Sequence, residues 1–171
     1  MSFTKSLMPA ALLAIALTLA GPLTGGQTAA AAGSTADTAP AAPADSNWTR
    51  AREAIDAGNY EAAVPLLQQV VAKDPKQADA FNYLGYAMSR AGKVEEAKGY
   101  YAKALALNPE HRGANEYLGE LYLKLGDLGA AEQRLQVLDK ACFFGCDEFY
   151  ALRDAIAEFK ASGSFASRKR L

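Results

Sequence analysis

Residues 78–111, ADAFNYLGYAMSRAGKVEEAKGYYAKALALNPEH, decide the fold. Phe81, Leu84, Gly85 and Met88 recur at helical spacing in the first half, and Val94, Ala97, Tyr101, Ala104 and Leu105 in the second. The stretch therefore reads as two amphipathic helices joined by a tight turn at Ala91-Gly92-Lys93. Asn108-Pro109 ends the pair, because proline cannot continue a helix and disfavours helical geometry before it. Gly85 and Ala97 carry almost no side chain, so the two backbones are expected to approach closely where these residues face each other.

Shifting by 34 residues in either direction brings the pattern back. Ala51, Gly85 and Gly119 are in register, as are Gly58, Gly92 and Gly126 at the inner turn. Ala63, Ala97 and Ala131 align, then Leu67, Tyr101 and Leu135, then Val70, Ala104 and Leu138. Pro75 and Pro109 close the first two copies, and Phe143 stands where a third proline would fall. A fixed period of this length means stacked supersecondary units. The pattern resembles the tetratricopeptide repeat, W-x2-L-G-x2-Y, A-x3-F, then P. The middle copy carries it in Phe81, Leu84-Gly85, Met88, Ala97, Tyr101 and Pro109, and the third in Leu118-Gly119, Tyr122, Ala131 and Leu135. The first keeps Trp48, Ala63, Leu67 and Pro75, with Arg50-Ala51 in place of Leu-Gly. The resemblance spans three repeats at about 44–77, 78–111 and 112–145.

That resemblance implies an all-α, right-handed superhelix whose first helix in each pair lines a hollow. The lining stripe maps to Trp48, Arg52 and Asp56; to Asn82, Tyr86 and Arg90; and to Glu116, Glu120 and Lys124. Each trio steps by four, so each shares one helix face. Asn82 can pair with a peptide backbone in both directions, Tyr86 offers an apolar body with a polar tip, and Arg52 and Arg90 can hold a carboxylate bidentately. Family members that clamp a chaperone's terminal carboxylate use lysine and asparagine in this lining. Glu116 and Glu120 stand here where such a clamp would want positive charge, which leaves a mixed-charge groove.

The ends of the chain read differently. Residues 1–9 carry Lys5 as their only charged side chain, and residues 10–20 form an unbroken apolar run apart from Thr18. Gly21-Pro22 breaks the run, and small residues follow up to Ala32. This order fits a secretory signal peptide over 1–32, cut after Ala30 or Ala32; a membrane-spanning helix needs about 20 apolar residues. No cysteine lies near the cut, so lipid attachment is not expected there. Residues 33–46, GSTADTAPAAPADS, read as a flexible linker, too poor in large apolar residues to offset the entropy of ordering.

The repeat pattern predicts helices near 47–57, 60–73, 77–91, 94–106, 111–125 and 128–140, with Asp127 capping the last of these. A seventh, over 146–161, places Phe149, Leu152, Ile156 and Phe159 on one stripe and is expected to start from Asp147 as N-cap. A terminal repeat exposes an apolar face unless something covers it, so this helix is expected to be a cap; dimerisation is the rival use of the stripe. Residues 162–171, with Arg168-Lys169-Arg170, read as a solvated basic tail.

Cys142-Phe143-Phe144-Gly145-Cys146 replaces the Asp74-Pro75 and Asn108-Pro109 corners. In an oxidising compartment two cysteines read as a disulfide, and closing so short a ring is worth about 2 kcal/mol by loop entropy. Two other uses stay open. A redox-active pair would lack C-x-x-C spacing and a βαβ setting. A Cu(I) site suits thiolates but needs a third ligand from Met88, His111 or a partner. Phe143 and Phe144 are expected as wedges under the cap helix.

The 171 residues carry a formal net charge of -1, falling to -2 once residues 1–32 are removed. No field of this size draws nucleic acid or acidic lipid to the chain. A single histidine excludes a histidine-rich metal site within one chain. No G-x-S-x-G, H-E-x-x-H or phosphate-cradling glycine loop appears; Glu95 and Glu96 read as solvated, and His111 as an exposed residue at a helix start. The expectation is a periplasmic, non-catalytic protein without cofactor or metal, binding an extended or helical segment of a cell-envelope protein, with oligomeric state open. Thiol-redox or copper chemistry at Cys142 and Cys146 is the alternative.

Overall fold

Three glycines one repeat apart set the turns. Gly58, Gly92 and Gly126 adopt φ of 75°, 77° and 80°, a region that costs glycine nothing and other residues about 1 kcal/mol or more. The amide after each glycine returns to a carbonyl five residues back: Asn59 N to Ala54 O (2.8 Å), Lys93 N to Met88 O (2.9 Å) and Asp127 N to Tyr122 O (2.9 Å). These are Schellman closures, which satisfy the last carbonyls of a helix while reversing the chain. The next helix then starts on a side-chain cap in two of three cases. Asn59 accepts from Ala62 N (3.2 Å) and Asp127 from Ala130 N (2.9 Å).

The computed structural model describes residues 46–166. Its helices are α1 (Ser46–Asp56), α2 (Tyr60–Lys73), α3 (Ala78–Arg90), α4 (Val94–Leu107), α5 (Arg112–Lys124), α6 (Leu128–Ala141) and α7 (Asp147–Ser162). There is no strand among the described residues. Each helix falls within a residue of the bounds read from the period. The residues read as a leader and as a linker, up to residue 45, and Arg168-Lys169-Arg170 lie outside the described residues. Ser46, placed in the linker, already belongs to α1.

The pairs α1/α2, α3/α4 and α5/α6 stack in order, with α3 also touching α5 and α5 touching α7. The second helices of successive pairs make no comparable contact. A stack whose first helices meet while its second helices splay is curved, with α1, α3 and α5 on the inner wall. The architecture is an α-α solenoid.

Fully buried Leu67, Leu84, Leu121, Leu138 and Leu152 run through the stack, each worth about 1.5–3 kcal/mol of apolar burial. Gly85 is needed for packing, and the atoms nearest its missing side chain belong to Tyr101. A Cβ there would meet Tyr101 Cδ1 and Cε1 at 2.7 Å, so the missing side chain makes room for a fully buried ring. Gly119 does the same for the cap: a Cβ would meet Leu152 Cδ2 at 2.5 Å. Leu152, Ala155 and Ile156 of α7 bury against Leu123, Ala131 and Leu138, with Phe149 and Phe159 packed on the cluster. The stripe of α7 therefore covers the last pair and is not open for dimerisation.

The corner after each pair is built alike and closed differently. Asp74, Asn108 and Cys142 each end a helix by donating their backbone N–H, at 2.9 Å, to Val70, Ala104 and Leu138. Asp74 Oδ1 then accepts from Lys76 N and Asn108 Oδ1 from Glu110 N, fixing Asx turns around the prolines. At the third corner the structure pairs the sulfurs of Cys142 and Cys146, with Cα atoms 5.6 Å apart, and Gly145 takes φ 82°.

Three sequence expectations fail here. Phe143 and Phe144 are not wedges: they are 87% and 92% exposed at the loop tip, their rings edge-to-face at 4.9 Å. A five-residue ring turns its middle residues outward. The N-cap of α7 is Cys146, and Asp147 lies in the first turn, where its charge meets the helix N-terminus. His111 is not exposed. Its side chain is 11% accessible; Nδ1 accepts from Ala114 N (3.2 Å) as the cap of α5, and Nε2 lies 3.0 Å from Asp79 Oδ1 of α3.

Candidate functional site

The inner wall carries the nine residues of the lining stripe, and the structure divides them. On α1, Arg52 and Asp56 are exposed and Trp48 is half-buried. Trp48 packs edge-on to Tyr83 at 5.3 Å, and the Arg52 guanidinium lies 5.9 Å from its ring centre. On α3 and α5, Asn82, Tyr86, Glu116 and Glu120 are all buried, at 4%, 8%, 2% and 6% exposure. These four had been expected on open surface. They sink because α3 packs against α2 and α5, and α5 against α7, which covers these positions. Arg90 is half-buried and Lys124 exposed at the far end of the wall.

The seam is an aromatic and charged cluster. Tyr86 meets Tyr60 of α2 at 5.8 Å and Tyr117 of α5 at 4.8 Å between ring centres. The Arg90 guanidinium lies 5.4 Å from the Tyr60 ring centre, a cation–π arrangement. Burial, the Tyr60 side chain and its hydrogen bond push the Tyr86 hydroxyl up to about 12. Tyr101 reaches the same region from α4: burial raises its pKa well above the usual value, with Tyr117, Glu120, Tyr86 and Glu116 adding to it. Its hydroxyl has no hydrogen-bond partner among the described residues. Lys124 is shifted down by partial desolvation and by Arg90, with Glu120 opposing.

Asn82 has a distinct place. Its Oδ1 is buried and has no hydrogen-bond partner among the described residues. Its Nδ2 lies 3.0 Å from where a Gly113 Cβ would sit. Gly113 lines a cleft of about 580 Å³ at the N-terminal ends of α3, α5 and α7, together with Lys76, Asp79, His111, Arg112 and Glu148. The amide thus sits under the point where the seam meets a cleft of both charge signs. Such an arrangement can hold a polar backbone and sort its neighbours by charge; it offers no nucleophile paired with a base.

Tyr60, Tyr83, Tyr101 and Tyr117 are lining or seam residues that the stripe of fours missed. Tyr83 and Tyr117 stand one repeat apart, so the period itself held the signal. The ligands considered for copper are engaged elsewhere. Met88 is buried among Ala97, Tyr101 and Leu118, and His111 caps α5. Among the described residues no three His, Cys, Asp or Glu side chains converge.

Known proteins resemble this chain in sequence and in fold. Family profiles described as tetratricopeptide repeat match residues 49–97 and 89–156. The probable biofilm formation methyltransferase WspC of Pseudomonas aeruginosa is 39% identical over 82 residues, 47% of this chain and 19% of that protein. Cellulose synthase operon protein C of Escherichia coli is 41% identical over 63 residues, 37% of this chain and 5% of that protein. The chain thus spans at most about a fifth of the length of these curated relatives. Among solved structures, the Yersinia enterocolitica type III secretion translocator chaperone SycD superposes with a TM-score of 0.58 at 20% identity, covering 68% of this chain and 79% of that one. PcrH, solved with the chaperone binding region of PopD, gives 0.58 at 21% identity over 67% and 86%. These structural likenesses speak to the fold. With its period, Schellman turns and buried small residues in register, the chain belongs to the tetratricopeptide repeat family.

Proposed function

We propose that this protein is an exported, periplasmic interaction module that holds a segment of a cell-envelope protein against its inner wall, without making or breaking bonds. The observation that carries the reading is the Asn82 amide: a buried carbonyl oxygen without a partner among the described residues, on a side chain whose Nδ2 lies against Gly113 of a charged cleft. Leaving such an acceptor unpaired costs about 1–3 kcal/mol, and a segment that parts the covering side chains and brings a backbone N–H to it would recover that cost. Trp48, Tyr83 and Tyr117, each half-buried, supply flat apolar surface, Arg52 and Arg90 positive charge, and the buried Glu116 and Glu120 a negative field behind that surface. That mixture favours a segment with charges of both signs over a purely acidic tail. PcrH, similar in fold, is known from a complex with a region of PopD, which supports a protein as the occupant here. The apolar run over 10–20, within the signal peptide read over 1–32, supports export, and in an oxidising compartment the Cys142–Cys146 pair is a disulfide staple.

Photocrosslinking in the native compartment tests this. A crosslinker placed at Tyr83 on the inner wall is expected to trap a discrete partner, and one at Tyr100 on the outer helix is not. Asn82→Ala is expected to weaken the Tyr83 product while leaving the unfolding temperature within a few degrees. Equal crosslinking from both positions would overturn the reading.

A further inference from the structure

Gly85, Gly99 and Gly119 lie deep inside helices, and two of them make room for a neighbour. A Cβ at Gly85 or Gly119 would strike Tyr101 or Leu152, whereas one at Gly99 would meet nothing within 4 Å. Gly99 is exposed in the middle of α4, where glycine weakens a helix and here gains no packing within the chain. It borders a notch of about 230 Å³ with Glu96, Tyr100 and Lys103. Steps of four extend that face to Gly92, just before α4, and to Leu107, its last residue, 42% exposed. Nothing lies within 4 Å of a Cβ on Gly92 either. The stripe therefore reads Gly92, Glu96, Gly99-Tyr100, Lys103, Leu107: bare, acid, bare and bulky, base, bulky.

We propose that this face of α4 docks on the same face of a second copy, antiparallel, about a two-fold axis midway between Gly99 and Tyr100. Glu96 then stands opposite Lys103 of the second copy, Gly99 opposite its Tyr100, and Gly92 opposite its Leu107. Each pairing is returned on the other side of the axis, which is what a closed, isologous contact requires. That self-complementarity identifies the occupant. Acid meets base twice, and each bare glycine receives a large side chain. A parallel arrangement would set Glu96 against Glu96 and Lys103 against Lys103, so charge also fixes the direction. Both charges are exposed. Glu96 lies 3.9 Å from Lys93 in a solvated pair, and Lys103 reaches over its own Tyr100 ring at 5.3 Å, beside the contact; surface contacts of this kind exchange readily. The stripe runs about 22 Å along the helix. One helix pair of that length covers less than the roughly 1,200 Å² of a stable complex, so the dimer is weak, with Kd on the order of 100 μM. Since α4 is the outer helix of its pair and α3 the inner, both inner walls stay open, and the association does not rest on what they hold.

Sedimentation equilibrium of the purified protein at concentrations up to about 1 mM, roughly ten times the expected Kd, is the test. The wild type is expected to form a dimer and nothing larger. Gly99→Gln, which copies Gln133 one repeat on, is expected to raise Kd by about tenfold or more without lowering the urea midpoint. Glu96→Lys and Lys103→Glu are each expected to do the same alone. Mixed in equal amounts, these two charge variants are expected to recover the dimer, because one carries two bases and the other two acids at the facing positions. A photocrosslinker at Tyr100 in the purified protein is expected to join two copies, a product of twice the chain's mass and distinct from anything trapped at Tyr83. Failure of this contact and failure of the inner-wall reading are thereby told apart. A wild type that stays monomeric throughout overturns the proposal, as does an open series of larger assemblies. So does a Gly99→Gln variant with unchanged Kd, or a mixture of charge variants that stays monomeric.

Discussion

Gly85 of α3 and Tyr101 of α4 are matched in shape: a Cβ at residue 85 would lie 2.7 Å from two atoms of the Tyr101 ring. The ring is fully buried and has nowhere to retreat. Gly85→Ala is therefore expected to destabilise the protein by about 1–3 kcal/mol, the usual cost of overpacking, despite the better helix propensity of alanine. Tyr101→Leu in the same chain is expected to recover part of that loss. Urea unfolding of the two single variants and the double variant measures the coupling directly.

The Tyr101 hydroxyl gives a prediction of opposite sign. It is buried without a hydrogen-bond partner among the described residues, and an unpaired buried hydroxyl costs free energy that its removal returns. Tyr101→Phe keeps the ring against Gly85 and is expected to stabilise by about 1 kcal/mol. A loss of stability in denaturant titration would mean that the hydroxyl has a partner after all.

These two residues also show what could be read from the chain alone. The repeat register put Gly85 at an interhelical contact, because glycine inside a strongly periodic helix needs a packing reason. It could not say that the nearest side chain was Tyr101, since Ala97 lies on the inward face of α4 as well. The same limit governs the inner wall. A step of four places Asn82 with Tyr86, and Glu116 with Glu120, on one face; how deep that face lies depends on how near α3 comes to α5 and α5 to α7, which no single helix records. The turns were legible because Gly58, Gly92 and Gly126 each end a helix by a local rule. Phe143 and Phe144 misled because apolar character argues for burial, while the Cys142–Cys146 closure decides their direction.

Tyr86 makes the alkaline limb of stability informative. Its folded pKa is about 12 against an ordinary 10.0, so the native state keeps a proton that the unfolded state releases. The associated stability is fully present below pH 10 and is lost as pH rises from 10 towards 12, on the order of 2 kcal/mol in all. Tyr101, also raised, adds in the same direction. Lys124 acts oppositely, because its lowered pKa makes the folded state release a proton first, and that gain ends near its ordinary 10.5. Thermal unfolding followed across this range is expected to fall for the wild type and to fall less for Tyr86→Phe.

His111 joins two repeats through its two ring nitrogens. Nδ1 accepts from Ala114 N and caps α5, while Nε2 lies 3.0 Å from Asp79 Oδ1 on α3. A capping bond to Nδ1 requires that nitrogen to be unprotonated. His111→Ala is expected to cost about 1–2 kcal/mol, since it removes the cap as well as the bridge. Asp79→Ala removes only the bridge, which is exposed on the Asp79 side, and is expected to cost about half as much or less. Comparing the two in urea separates capping from clasping.

The third corner can be tested against the other two. Asp74 and Asn108 hold their corners by side-chain hydrogen bonds to Lys76 N and Glu110 N; Cys142 has no such oxygen, and its link to Cys146 stands in that place. If the pair is a staple, alkylation of the denatured, unreduced chain finds no free thiol, and Cys142→Ser with Cys146→Ser lowers stability by about 2 kcal/mol, the loop-entropy value for so short a ring. Reduction of the wild type is expected to give the same loss and to add nothing to the variant. The damage should be greatest where the corner hands the chain to α7, so amide exchange is expected to speed up around Leu152 and Ile156 before it changes in α3. Thiols that exchange readily with glutathione while stability stays unchanged would instead favour a redox role for the two cysteines.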